Sequence, residues 1–268
     1  MTVLTQLREI ALQKSRGLPD DDFTLRGQWT CDLLFSPNKG ERVFEYSVLL
    51  MQTLAQGACY CAHGRPTLRK EFIGQDIREL EAPDSDFEVA MLDAIYSGFA
   101  RSSQEEHTLV GNSVVKAQQR AAIVVNEVMR QLQGLQRRPK VVHVGVVGNI
   151  LKQLSESGME VYATDLDPQL VDQRIHSVDI LNGAQHNYEL IGSSDLALIT
   201  GMVLATGTLD AILQTARESN TKVIMFAETG AWLGQEYCQT FGIDAVISEP
   251  FPFYIFEGTS TIRVHRRA

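Results

Sequence analysis

Residues Val141–Ile150 read VVHVGVVGNI, and the reading of the whole chain turns on them. An apolar, β-branched run ends at Gly145, Gly148 follows at a G-x-x-G spacing, and a helical pattern begins. A glycine lets the backbone turn tightly and lets a ligand approach it closely. The loop has fewer glycines than the G-x-G-x-x-G turn that cradles a dinucleotide pyrophosphate. It suits a smaller ligand, or a plain strand-to-helix turn.

Working outward toward the C-terminus, short apolar runs alternate with helical stretches. KVVHVG, MEVYATD, HSVDI, LALITG, KVIMFA, DAVISE and TSTIRVHR read as strands. NILKQLSES, YELIGSS, LDAILQTARES and LGQEYCQTFG read as the helices between them. Such alternation predicts right-handed crossovers and a mainly parallel sheet. Toward the N-terminus the pattern changes at LQRRPK. VLTQLREIALQKS, ERVFEYSVLLMQTLAQGA, DFEVAMLDAIYSGFA and NSVVKAQQRAAIVVNEVMRQLQ each fit an amphipathic helix. RGLPDDD, SPNKG, AHGRPT and EAPDSD separate them as turns. The expected fold is α/β: a Rossmann-like, mainly parallel doubly wound sheet over residues 137–268. An all-helical region, residues 1–136, precedes it as lid or packing helices.

The chain has 268 residues, 44% apolar, with a formal net charge of -9. That size and apolar fraction allow a substantial core. The acidic balance argues against nucleic acid and anionic membrane as partners. There is no long apolar span and no signal-peptide core, so the expected location is the cytoplasm. A small-molecule substrate is the expected partner, and a homodimer stays open. Cys59, Cys61 and His63 stand close in sequence. On a helix, residues two apart point to different sides, which favours buried thiols over a metal site.

Ligands of doubly wound sheets lie beyond the carboxyl ends of the strands, where the strand order reverses. The candidate binding residues are therefore those that end strands. Gly145 ends the first, with Asn149 in the turn that follows. Asp165 ends the second, with Leu166 beside it, twenty residues after Gly145. That is the spacing at which an acid accepts from ribose hydroxyls. Asp179 and Ile180 belong to the short third strand. Thr200, Gly201, Met202 and Thr206 surround the end of the fourth in LITGMVLATGTLDAIL. Glu228 and Thr229 follow the fifth. EPFPFYIFEG adds aromatics that could stack on a base or face a cation.

Two resemblances attach to these residues. The segment from about Ser194 to Tyr254, DLALITGMVLATGTLDAIL through VIMFAETGAWLG to FGIDAVISEPFPFY, resembles the Rossmann-like family described as a "putative heavy-metal chelation" domain. That family's N-terminal partner has an enolase-like β/α pattern, where helices are expected here. The resemblance implies a metal or metal-chelate binding protein. His143, His176 and His186 show no ligand spacing for it, and no metal ligand is assigned.

The second resemblance is to class I S-adenosylmethionine-dependent proteins. Gly145, Asp165 and Asp179 occupy the corresponding positions. A methyltransferase-like domain with a helical N-terminal lid looks like the azetidine-2-carboxylate synthases, which cyclise S-adenosylmethionine and release methylthioadenosine. The resemblance implies S-adenosylmethionine as substrate or methyl donor. Cyclisation needs a curled, desolvated ligand and a neutral amine. Tyr254 is the favoured aromatic for the sulfonium, with Phe253, Tyr96 and Trp29 as other candidates. Asn112 could hold the amino-acid end, or cap the helix that it precedes. Methyl transfer to a small molecule is the enzymatic alternative.

Overall fold

The computed structural model describes residues 1–35, 43–99 and 103–268; the expected turn SPNKG, residues 36–40, lies outside them. Helix α1 (Val3–Lys14) forms as its periodicity predicts, with the Thr2 hydroxyl accepting from Thr5 N at 3.2 Å. Val3, Leu7 and Ala11 are its buried stripe. Strands follow where helices are expected. β1 (Gly27–Phe35), β2 (Phe44–Gln52) and β3 (Gln56–Tyr60) form a three-stranded antiparallel sheet in that order.

This sheet corrects the all-helical reading of residues 1–136. The described part of ERVFEYSVLLMQTLAQGA, from Val43 onward, is a hairpin, and its Val-Leu-Leu-Met run concealed a period of two. Leu49 and Met51 face the main core, while Val48 and Leu50 pack on the other face with Phe253. A strand buried on both faces reads as a continuous apolar run, which periodicity cannot tell from a helix. The turn is closed by Thr53 N donating to Ala55 O at 2.9 Å and Ala55 N donating to Thr53 Oγ1 at 3.2 Å. Helix α2 (Ser85–Phe99), expected from sequence, lies across this sheet. A Cβ at residue 57 would stand 2.1 Å from Ala94 N, so Gly57 is what lets β3 press against α2.

The rest of the chain builds the large sheet. β4 (Glu105–Leu109), not expected from sequence, leads to α3 (Ser113–Gln131), β5 (Lys140–Val144), α4 (Gly148–Glu156) and β6 (Glu160–Asp165). Next come β7 (Arg174–Ile175), β8 (Val178–Asn182), α5 (Gly183–Ser193), β9 (Leu196–Thr200), α6 (Met202–Ala205) and α7 (Leu209–Ser219). β10 (Lys222–Ala227), α8 (Gly234–Gln239), β11 (Ala245–Ser248) and β12 (Ser260–Arg266) complete it. Among the described residues the order is β4-β12-β11-β10-β9-β5-β6-β8-β7. The six strands from β11 to β8 are parallel; β12, β4 and β7 pair antiparallel at the margins.

The alternation that defines both layers is visible in β9 and β10. Ala197, Ile199, Val223 and Met225 face α1, α2, α5 and α7; Leu196, Leu198, Ile224 and Phe226 face α3 and α4. Covering on both faces explains why these strands are near-continuous apolar runs. Strand order reverses between β5 and β9. Their ends, Gly145 and Thr200, therefore define the switch point. Among the described residues no helix is long and apolar enough to cross a membrane.

Candidate functional site

At the switch point Gly145 has φ +82°, and a Cβ there would stand 2.5 Å from Thr200 Oγ1. Glycine thus meets two needs at once, left-handed backbone and close approach to the neighbouring strand. Asp165, ending β6, is tied to the same loop. Its Oδ2 accepts from Val146 N at 2.7 Å and its Oδ1 from Asp167 N at 2.8 Å. Burial raises this carboxyl above the usual range, and those backbone N–H bonds oppose the rise.

A cleft of about 1170 Å³ opens over these strand ends. Its far wall is the N-terminal sheet, fastened edge-on to the loop after β10. Tyr60 N donates to Thr229 Oγ1 at 3.0 Å, and Gly230 N to Ala58 O at 3.3 Å. Asp93 of α2 pins both sides, accepting from Ala58 N at 2.9 Å and Trp232 N at 2.7 Å. Burial raises the Asp93 carboxyl to about 7 despite those two bonds. Tyr60, Cys61 and Ala62 consequently line the cleft.

Three ionisable groups meet beside it, Arg120 and Glu249 buried and Glu228 half-buried. Arg120 of α3 donates from Nη1 to Glu228 Oε1 at 2.7 Å, and Glu249 Oε2 lies 3.5 Å from the same nitrogen. Glu228 directly follows β10 and Glu249 directly follows β11, so the sheet presents both carboxyls to one guanidinium. That guanidinium lies 3.8 Å from the Tyr254 ring centroid and 5.0 Å from that of Phe226. Burial raises the Glu228 carboxyl, Arg120 opposes the rise, and Glu249 adds to it. Beyond the facing Glu228 carboxyl, no donor hydrogen-bonds the Glu249 oxygens, and the Arg120 Nε donates to nothing.

Most expected binding residues come together here. Gly145, Asn149, Asp165, Leu166, Thr200, Gly201, Met202, Thr206 and Tyr254 all line the cleft. Some are already engaged: the Thr206 hydroxyl donates to Met202 O at 3.1 Å, and Tyr254 carries Arg120 on its ring. Asp179 and Ile180 lie elsewhere. β8 continues to Asn182, so Asp179 sits mid-strand facing Arg174 and Ile180 is in the core. Asn112 is the cap of α3, accepting from Val115 N at 3.0 Å, and is exposed outside the cleft. Tyr96 is buried, with its hydroxyl 3.5 Å from Leu7 O; Phe253 stacks on Tyr60 with centroids 5.2 Å apart. Trp29 is outside the lining.

Arg120, Glu249 and Tyr60 were missed in sequence. Arg120 had a signal: with Lys116 it shares a helix face with Ala117, Ala121 and Val124, a charge inside an apolar stripe. Cys59 of β3 and Cys61, just past its end with N donating to Ser47 O at 2.8 Å, share the main core because residues two apart on extended chain face one way. Burial, then Asp86, pushes the Cys61 thiol up to about 12. Among the described residues no three His, Cys, Asp or Glu side chains converge as a metal site would require.

Two crystal structures match nearly the whole chain. One is a protein of unknown function from the DUF364 family of Pyrococcus horikoshii, 14% identical, with a TM-score of 0.60 over 98% of this chain and 99% of that one. The other, from the same family in Desulfitobacterium hafniense DCB-2, is 14% identical with a TM-score of 0.53 over 97% and 99%. At that identity they show the fold alone. No curated protein matches the sequence. The sheet-and-helix N-terminal region removes the departure from a β/α partner that the helical reading implied. Over residues 127–246, from late α3 to β11, the chain matches the DUF364 family model, described as "Putative heavy-metal chelation".

Proposed function

We propose that the switch-point cleft binds a small cationic nucleoside, and take S-adenosylmethionine as that ligand. The observation that carries this is the junction of Gly145 and Asp165. A turn opened by a glycine and a half-buried carboxyl meet where the strand order reverses, tied by the 2.7 Å bond to Val146 N. An acid at the second strand end is suited to ribose hydroxyls, and a bare turn to the amino-acid end. Tyr60 and Tyr254, with the acids Glu45, Asp165 and Glu228, give the cleft aromatic and acidic walls that suit a cation.

The chemistry proposed is alkyl transfer from the sulfonium. In the cyclisation the ligand's own neutral amine attacks its γ carbon. A C–N bond forms, the C–S bond breaks onto sulfur, and methylthioadenosine leaves; methyl transfer to a separate acceptor is the competing form. A second reading, binding of a metal chelate, is favoured by the family match over residues 127–246. The described side chains do not converge as a directly bound metal ion would require.

Incubation of the pure protein with S-adenosylmethionine alone, read by mass spectrometry, tests these. Methylthioadenosine plus a four-membered-ring amino acid is the expected result. Saturable binding of intact ligand points to methyl transfer. Absence of binding, with metal retained through purification, overturns the nucleoside reading.

A further inference from the structure

The buried group of Arg120, Glu228 and Glu249 holds two acids against one base. Arg120 is 3% exposed and Glu249 0%, so solvent does little to screen the imbalance. With both carboxyls ionised the group lacks one positive charge. Glu249 meets only the Glu228 carboxyl and, at 3.5 Å, the Arg120 guanidinium, and no other donor reaches its oxygens, which leaves the acceptors in excess of the donors. Glu228 and Arg120 both line the cleft, so the imbalance faces the ligand space. An anion would meet an unneutralised carboxyl there. A primary ammonium offers three donors, no acceptor and the missing charge.

We propose that Glu228, backed by Glu249 and Arg120, is the receiving group for the ligand's primary ammonium, which displaces a proton from the carboxyl pair on binding. This rests on the reading of the cleft as an S-adenosylmethionine site. The proton leaves to buffer, and the ammonium takes its place beside Glu228, whose freed carboxylate is then the acceptor for the proton that the amine must lose before it attacks its own γ carbon. The groups facing Glu228 come from four elements: Arg120 from α3, Glu249 after β11, Tyr60 of β3, and Tyr254 in the loop before β12. Burial holds both tyrosines above their usual value, so they stay neutral around pH 7. The carboxyl pair therefore carries the exchangeable proton. Burial, against the pull of Arg120, raises Glu228 to about 8. Affinity for an ammonium ligand should rise with pH below that value, by up to about tenfold per unit.

Calorimetry in buffers of different ionisation enthalpy reads the proton directly. Three probes are used: S-adenosylmethionine, S-adenosylhomocysteine, which keeps the ammonium without the sulfonium, and methylthioadenosine, which has neither. Expected for the wild type is release approaching about one proton for the first two and none for methylthioadenosine. Glu228→Gln should abolish the release and weaken the ammonium ligands by about 10–100-fold. Retained methylthioadenosine affinity shows that the variant is folded, and Glu249→Gln should diminish the release as well. If methylthioadenosine and S-adenosylmethionine bind the wild type without proton release, the ammonium assignment falls while the nucleoside reading stands. Release with S-adenosylmethionine but not S-adenosylhomocysteine, in samples where mass spectrometry finds the S-adenosylmethionine intact, would reassign the group to the sulfonium and overturn the proposal. Failure of all three nucleosides to bind overturns both. Proton-coupled binding of zinc or nickel alone, lost in Glu228→Gln, would give the charge deficit to a metal instead.

Discussion

Gly145 is a single Cα on which backbone and packing demands coincide. Gly145→Ala forces a side chain into the left-handed region and against Thr200 Oγ1, 2.5 Å away. The expected cost is about 1–3 kcal/mol in urea unfolding. Adding Thr200→Ala should return the steric part and leave about 1 kcal/mol of backbone strain. A single variant as stable as wild type would contradict the geometry. Asp93 sets a pH dependence of its own. Burial raises its folded value from 3.8 to about 7, so the folded state holds the proton more tightly than the unfolded chain. Its stabilising term is full below about pH 4 and is lost as pH rises through about 7. Asp93→Asn removes the titration. The slope of unfolding midpoint against pH between 5 and 7 should become less negative in that variant, whatever its absolute stability.

At the scale of elements, the β2–β3 hairpin and α3 give contrasting lessons. Leu49 is fully buried on one face of the hairpin, whereas Leu54 at its turn is 62% exposed. Leu49→Ala should cost about 2–5 kcal/mol, and Leu54→Ala within about 0.5 kcal/mol. Equal effects in chemical denaturation would argue against this register. Strand pairing was illegible here because burial on both faces erased the alternation that marks a half-exposed strand. In α3 the helix was legible from its apolar stripe, but the destination of Arg120 was not, since its partners lie more than 100 residues away at two strand ends. Arg120→Met leaves two buried carboxyls without their cation and should cost about 3–5 kcal/mol. Combining it with Glu228→Gln should cost less than the single change, measured as a double-mutant cycle.

Across the whole molecule, the doubly wound sheet was legible because six parallel strands keep their apolar runs and turn glycines in sequence. The position of the cleft followed from the strand order. Its far wall did not, because β3 reaches the site through tertiary pairing with the loop after β10. The antiparallel margin was half legible: β12 was read as a strand and β4 was not, since EEHTL is short and polar. One continuous core joins the two sheets, running from Leu7 and Leu49 through Phe87 to Val142, Ile199 and Met225. Residues 103–268 alone should therefore lack a cooperative urea transition and bind a hydrophobic dye; a sigmoidal transition would show the large sheet to be self-sufficient. The same core sets a timetable. Val3 N donates to Asp210 Oδ1 across 207 positions, so the docking of α1 is not complete until α7 has been synthesised. At ~5–20 residues per second, that contact forms roughly 10–40 s after the start of α1 has been made, an interval in which α2 covers the first apolar stripe only in part and a nascent-chain chaperone can shelter the rest.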